Sequence, residues 1–362
     1  MKKSNVRLIF NALLATTLLI SPVWGITAEE ADNTDRAGLS ENLVMGVYRP
    51  LHSAFADSAQ DWASEVSDLC ERRPASSAYK MQFRFAKLIE LYSAIELYRV
   101  GPLLEDNLQN RIFYWPDKRS VGQRQLRNLM ASLDDQKMTV EALVQKSVAV
   151  QGFAALERLL FQSEFQTIES APQCSLIIVI INNIATMARE LDTAWQSDSG
   201  FIQSLLEPHA DSEHFRDSEE VLRSAYTQVK VGLDVVLDGK LRLLLSNDEK
   251  MMRQTPLWVS QRTVSMLMGN LKGLRALLLD SGMLAETRYE EELHLEFDYI
   301  EHVLSELRPM VYFVENDGTL KPEIKMLMNK LAAVVAGVRF TVNTDVSRDL
   351  GISAGFNSED GD

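Results

Sequence analysis

The spacing of apolar residues constrains the fold of this chain more than any other feature. From Val44 to Leu69 apolar side chains recur every three or four residues, which is the repeat of one buried helix face. Similar spacing returns near residues 77–98, 217–245, 257–280, 286–315 and 321–347. No strand pattern stands out, because even the apolar run Leu176–Ile181 lies inside a helical repeat. The chain is therefore predicted to be all-α, with two tandem helical bundles packed against each other.

The pattern also divides the 362 residues into segments. We expect a secretory signal peptide at 1–25, a flexible arm at 26–39, an N-terminal helical bundle at 40–200, and a C-terminal helical bundle with an irregular tail at 217–362. The polar stretch from about 196 to 216 is the predicted boundary between the bundles. Inside the first bundle, Thr139 is expected to cap a helix that runs to Phe161.

The first residues have the pattern of a cleavable export signal. Lys2, Lys3 and Arg7 precede an apolar stretch at 8–20, which is shorter than the roughly 20 residues that span a bilayer. Cleavage is expected after Gly25, with Ala28 as the alternative. Because no cysteine lies at this junction, a lipoprotein anchor is not expected. The mature protein is thus predicted to be exported, with no integral membrane segment.

Charge and cysteine content narrow the class of protein further. The formal charge of −14 becomes −17 when Lys2, Lys3 and Arg7 are removed, and such an acidic surface repels nucleic acid. Cys70 and Cys174 are the two cysteines of the chain. In an oxidising compartment they are expected to form a disulfide, with two buried free thiols as the alternative.

Two segments contain candidate functional residues. The connection at 102–120 crowds charged and aromatic side chains, including Arg111, Trp115 and Asp117, into an irregular loop. Helix capping and salt bridges explain such a loop equally well. Further on, Gly152 weakens a predicted helix by about 1 kcal/mol, which suggests that another backbone or a ligand approaches there. Glu157 lies among leucines and would need a partner if buried, with Arg111 or Arg158 as candidates.

Standard metallopeptidase signatures are absent, since none of the five histidines belongs to an HExxH or HxxEH motif. His294, Asp298 and His302 share one helix face and could supply metal ligands, but three ligands on one straight helix reach a single ion poorly, so we interpret them as part of a solvated acidic surface.

Several stretches resemble the imelysin-like family, peptidase family M75. They are Val100-Gly-Pro-Leu-Leu-Glu-Asp-Asn107, Arg111-Ile-Phe-Tyr-Trp-Pro-Asp117, Gly122-Gln-Arg-Gln-Leu126, Ser147-Val-Ala-Val-Gln-Gly152, Leu156-Glu157, Leu159-Leu-Phe161 and Leu350-Gly-Ile-Ser-Ala-Gly-Phe-Asn357 with Asp360-Gly-Asp362. The resemblance implies two helical bundles with a site near their interface, a periplasmic location and a link to iron acquisition. It also implies a GxHxxE motif, in which Gly152 and Glu157 match but Ala154 replaces the histidine. This chain is similar to a subgroup without that histidine.

The resulting hypothesis is a non-enzymatic binding or accessory protein for iron uptake, with other iron-uptake components of the cell envelope as partners. Its predicted binding residues are Arg111, Trp115, Asp117, Gln123, Gly152 and Glu157, with no catalytic residue. Iron or another divalent metal is a candidate cofactor, and Glu157 is the candidate ligand. We expect Trp115, Asp117, Gln123 and Glu157 to lie close together. The alternatives are an M75-type metal-dependent peptidase, which would need His52 or His294 from elsewhere in the fold, and a partner-binding module without a small ligand.

Overall fold

The computed structural model describes residues 38–352, except 73–76, 118, 134–137, 164–170, 286, 311 and 316–317. The predicted signal peptide, the arm as far as residue 37 and the tail from residue 353 lie outside the described residues. Within the described ranges the regular structure is helical, and the one pairing of extended backbone is an isolated bridge between Val314 and Leu320. The all-α prediction is confirmed.

The longer helices are α1 Arg49–Arg72, α2 Ser77–Ile95, α3 Val121–Ala131, α4 Phe153–Phe161, α5 Ala171–Gln196, α6 Ser218–Val236, α7 Thr263–Arg275, α8 Glu290–Leu307 and α9 Pro322–Thr341. Shorter helices are Leu108–Ile112, Val140–Val144, Gly200–Leu206, Arg242–Leu244, Glu249–Met252 and Ser347–Asp349, with 3-10 turns at Gly101–Asn107 and Val148–Val150. Four segments are π-helical and adjoin longer helices, namely Asn42–Tyr48, Leu237–Leu241, Ala276–Asp280 and Val342–Val346.

The first group of helices is built around α1 and α5, which pack along each other; α2 packs against α1, and α4 packs against α2 and α5. The predicted face of α1 is buried, with Phe55, Trp62 and Val66 each at most 1% exposed. The disulfide between Cys70 and Cys174 ties α1 to α5, with 5.8 Å between the two Cα atoms. The predicted disulfide is therefore present.

The apolar run near the start of α5 is helical and buried, as expected, and not a strand. By length and composition the segment Gln173–Gln196 could cross a membrane, but 67% of its apolar window is buried inside the protein. Its apolar surface is thus used mainly by the core.

The second group consists of α6, α7, α8 and α9. Each of these helices packs against the next one in the chain, and α6 also packs against α9. Asp217 caps α6, since its side chain accepts a hydrogen bond from the Glu220 backbone N–H at 2.8 Å. The arrangement agrees with the expected pair of bundles.

The two groups meet where α2 packs along α7 with direct contact between their backbones. A Cβ at position 269 would lie 2.1 Å from the Glu90 carbonyl oxygen, and one at 273 would lie 2.0 Å from that of Ala94. Only glycine fits at these two positions of α7. Tyr98 adds a hydrogen bond from its hydroxyl to the Gly273 carbonyl oxygen at 2.6 Å.

Three predicted helix boundaries are wrong. The helix predicted at 286–315 ends at Leu307, before the extended backbone at Val314. The helix capped by Thr139 ends at Val144, although Thr139 does accept a hydrogen bond from the Ala142 N–H. After a 3-10 turn at Val148–Val150, the chain becomes α-helical again only at Phe153. The helix predicted at 257–280 begins at Thr263, because Leu257 and Gln261 have left-handed backbone conformations, with φ of 59° and 55°. A helix cannot continue through such residues.

Candidate functional site

Glu157 is buried at the junction of the two helix groups. Its side chain projects from α4, and the residue is 7% exposed. Its Oε1 accepts two hydrogen bonds from Ser260, one from the backbone N–H and one from the hydroxyl, both at 2.8 Å. Burial raises the pKa of the Glu157 carboxyl, and the Ser260 hydrogen bonds and the nearby Arg158 act against that rise. Glu157 thus fastens α4 to the turn that precedes α7.

Gly152 is required by a close approach of another backbone. A Cβ at this position would lie 2.1 Å from the carbonyl oxygen of Ile112 and 2.4 Å from that of Arg111. The expected approach at Gly152 is therefore that of the protein's own chain. The Arg111 side chain contacts the same region, since its Nε donates to the Gln151 side chain at 3.3 Å.

Asp117 organises the start of α3. Its two carboxylate oxygens accept hydrogen bonds from the Val121 and Gly122 backbone N–H groups at 2.7 and 3.0 Å. Arg158 of α4 forms an ion pair with the same carboxylate at 3.3 Å. Gln123 lies on the first turn of α3, partly exposed. These contacts form the capping and salt-bridge network that the sequence left open as an alternative.

Trp115 differs from the other predicted residues because it lines a cavity. Its indole N–H donates to the Gln254 carbonyl oxygen at 3.1 Å, which joins the 113–117 loop to the turn region that also contains Ser260. The cavity has a volume of about 220 Å³, and the other five predicted residues are not among its lining. Of the six predicted binding residues, Trp115 is therefore the one that lines this cavity.

Sequence reasoning missed the charged wall of the cavity. Lys240 is 2% exposed and donates hydrogen bonds to Glu96 and, at 2.6 Å, to the Asn270 side chain. Asn270 in turn donates to Glu96 Oε1 at 2.9 Å and to the Ser93 carbonyl oxygen at 2.7 Å. Burial lowers the pKa of Lys240, and Glu96 opposes this effect.

A signal for this buried pair exists in the sequence. Lys240 shares the apolar face of Leu237, Leu241 and Leu244, which are buried. A lysine at a core-facing position is uncommon unless it has a partner. Arg99 places a second cation at the cavity, and it lowers the pKa of Lys240 further. The cavity is thus bordered by two cations and one carboxylate, from both helix groups.

The residues around Glu157 do not fit a tightly held metal ion. Position 154, one turn before Glu157, is alanine. Oε1 of Glu157 already accepts two hydrogen bonds from Ser260. Among the residues that the structure describes, no group of three or more His, Cys, Asp or Glu side chains could hold a metal. A lone carboxylate is a weak ligand set for a transition metal.

Of the two histidines considered as substitutes, His294 lies on α8 and His52 on α1. His52 is 1% exposed in the first helix group and stacks on Trp195, and burial lowers its pKa to about 4. His302 pairs with Glu306 at 3.0 Å on the surface of α8, and Asp298 pairs with Arg275 at 2.7 Å. These pairs agree with the solvated acidic face expected from the sequence.

Solved structures share this architecture. A crystal structure of an imelysin-like protein from Psychrobacter arcticum 273-4 superimposes with a TM-score of 0.67 at 16% identity, covering 90% of this chain and 98% of that one. A structure described as a "putative iron-regulated protein A precursor" from Parabacteroides distasonis ATCC 8503 gives a TM-score of 0.68 at 8% identity, covering 86% and 94%. At these identities the likeness establishes the fold. No curated protein matches the sequence.

By its fold the chain belongs to the class of all-helical proteins, and its own two helix groups meet along the contact between α2 and α7. The sequence model of the imelysin family, peptidase M75, matches residues 48–351. The chain therefore belongs to the imelysin family, as its motifs indicated.

Proposed function

We propose that this protein is exported to the periplasm and acts there as a non-enzymatic binding or accessory component associated with iron acquisition. Membership of the imelysin family and the likeness to a protein described as iron-regulated support this role. The basic and apolar pattern of residues 1–25 supports export and cleavage after Gly25. The partners that fit this role are other iron-uptake components of the cell envelope.

The environment of Glu157 carries the non-enzymatic part of the proposal. A catalytic zinc in a peptidase is held by three protein ligands and keeps one position open for water. Here Ala154 stands where the family motif has histidine, and the Glu157 carboxylate is hydrogen-bonded to Ser260. Its role in this geometry is to join two structural elements.

The cavity that includes Trp115 supports a binding role. It lies between the two helix groups and combines an aromatic wall with the charged groups of Glu96, Arg99 and Lys240. Clefts at such interfaces, with a few polar groups on an apolar wall, are typical binding sites.

Metal analysis and a protease assay on the purified mature protein test this proposal together. We expect substoichiometric zinc, and no casein or insulin cleavage that is lost on chelation. Glu157→Gln is a suitable control variant, because a glutamine oxygen can still accept both Ser260 hydrogen bonds while the carboxylate is removed. Stoichiometric metal that this variant loses, together with chelator-sensitive cleavage, would establish a peptidase instead.

The iron link and the export are tested in cells. We expect the amount of protein to rise when iron is withheld, and the periplasmic form to begin at Ile26. A constant amount under iron limitation, with no thermal stabilisation by added iron, would favour a partner-binding module without a small ligand.

A further inference from the structure

A long groove that is lined by neither Glu157 nor Trp115 lies between α2 and α7. One side of it is closed by four residues at and beyond the end of α8, namely Leu307, Arg308, Met310 and Tyr312. Its volume is about 550 Å³, and it adjoins a second cavity of about 290 Å³ with which it shares Glu90, Met268 and Arg308. Pockets for small organic ligands have volumes of roughly 300–1,000 Å³, so the groove has the size of a ligand site.

Large aromatic side chains border this groove and remain exposed. Tyr79 and Phe83 lie one turn apart on α2 and are 72% and 59% exposed, and Tyr312 is 58% exposed on the opposite side. Leu91 and Met268 add apolar surface inside the groove. Clustered exposed aromatic residues beside an apolar concavity mark a binding surface more often than a solvated one.

The charge of the groove is opposite to that of the protein. Its lining contains three cations, Lys87, Arg262 and Arg308, and one carboxylate, Glu90. Arg308 and Glu90 form an ion pair at 3.0 Å between α2 and the residue that follows α8. The guanidinium of Arg262 lies 5.6 Å from the centre of the Phe161 ring, which places it against apolar surface. In a chain with a formal charge of −14, this concentration of cations favours an anionic occupant.

We propose that the groove between α2 and α7 binds a small organic anion with an extended apolar body. The aromatic and aliphatic lining would cover the body of the ligand, and Lys87 and Arg262 would attract its acidic group. A medium-chain fatty acid and an aromatic sulfonate or carboxylate share this chemistry. The inference is independent of the proposed link to iron, because the groove contains neither Glu157 nor Trp115.

Fluorescence titration of the full mature protein with 8-anilinonaphthalene-1-sulfonate tests the site, because this probe combines an aromatic body with one negative charge. We expect saturable binding with one probe per protein. Decanoate should displace the probe, and decanol, which lacks the negative charge, should need a concentration about tenfold higher, equivalent to about 1.4 kcal/mol. Absence of saturable binding, or equal displacement by decanol and decanoate, would overturn the proposal.

Three exposed positions provide matched variants. Phe83→Glu and Lys87→Glu each place a negative charge in the groove, and each should weaken probe binding about tenfold. Phe340→Glu is the control, since Phe340 is 66% exposed on α9 and does not line the groove. Far-UV circular dichroism and the melting temperature check that all three variants fold. Unchanged binding in both groove variants, or an equal loss in the Phe340 control, would assign the probe to another surface.

Discussion

The hydrogen bonds between Glu157 and Ser260 predict opposite outcomes for two substitutions at the same position. Glu157→Gln keeps an oxygen that can accept from Ser260, whereas Glu157→Leu removes it and leaves the buried Ser260 N–H without an acceptor. The Ser260 hydroxyl has a second acceptor, the Leu257 carbonyl oxygen at 3.2 Å, so the backbone N–H is the main group left unpaired. An unpaired buried donor costs about 1–3 kcal/mol, and we expect Glu157→Leu to lower the free energy of unfolding by that amount.

The same geometry predicts how the stability of the wild-type protein depends on pH. Burial raises the pKa of the Glu157 carboxyl above its ordinary value of 4.5, so the folded protein binds this proton more tightly than the unfolded chain. The stability contributed by the protonated form is complete below the unfolded pKa and is lost as the pH rises from that value through the folded pKa. Glu157→Gln has no such proton. It should gain stability relative to the wild type over that interval.

Urea unfolding followed by far-UV circular dichroism, repeated from about pH 4 to about pH 8, measures both effects. The wild type and both variants are compared at each pH, so titration of all other groups cancels in the difference. Two results would refute the reasoning: a difference between Glu157→Gln and the wild type that does not change with pH, or a Leu variant as stable as the Gln variant.

Three further tests, two of them with a second substitution as control, address the helix contact, the disulfide and the buried ion pair. Gly273→Ala should destabilise the fold by about 1–3 kcal/mol in thermal unfolding, because the added Cβ would lie 2.0 Å from the Ala94 carbonyl oxygen. Gly46→Ala is the control, since an added Cβ there has no atom within 4 Å, and it should stabilise the fold by about 0.5–1 kcal/mol. Equal effects of the two substitutions would contradict the close contact at Gly273. Cys70→Ser should cost about 2–5 kcal/mol in urea unfolding, and a reductant should weaken the wild type but not the variant. Lys240→Met should lower the free energy of unfolding by about 3–5 kcal/mol, because it leaves Glu96 buried without its cation. Adding Glu96→Gln should recover most of that stability. A double variant as unstable as the single one would argue against the pairing.

Most of the fold could be predicted because its cause is local. The face of Phe55, Trp62 and Val66 follows from spacing alone, since a helix places every third and fourth residue on one side. The interruption between Val144 and Phe153 has a different origin. The α-helix begins again at Phe153, directly after Gly152 touches the 111–112 backbone, and this contact depends on a segment 40 residues earlier in the chain.

The site could be predicted only in part, because its contacts also join segments that are far apart in the sequence. The burial of Glu157 is visible in the leucines around it, but the hydrogen-bond partner is Ser260, 103 residues away, and not the arginines suggested by proximity in sequence. Arg158 instead forms an ion pair with Asp117. The left-handed backbone at Leu257 and Gln261, on either side of Ser260, has no signature in sequence, because neither residue type favours that conformation.

The glycine contact between α2 and α7 also limits how the molecule can move. Helices separated by a layer of side chains can slide past each other in small steps, as in shear motions. At Gly269 and Gly273 the two backbones touch, so sliding would drive carbonyl oxygens into the neighbouring Cα atoms. A relative motion of the two helix groups would therefore be a rotation about this contact. Since α2 lines both the cavity at Trp115 and the groove at Phe83, any such rotation changes the shape of both at once.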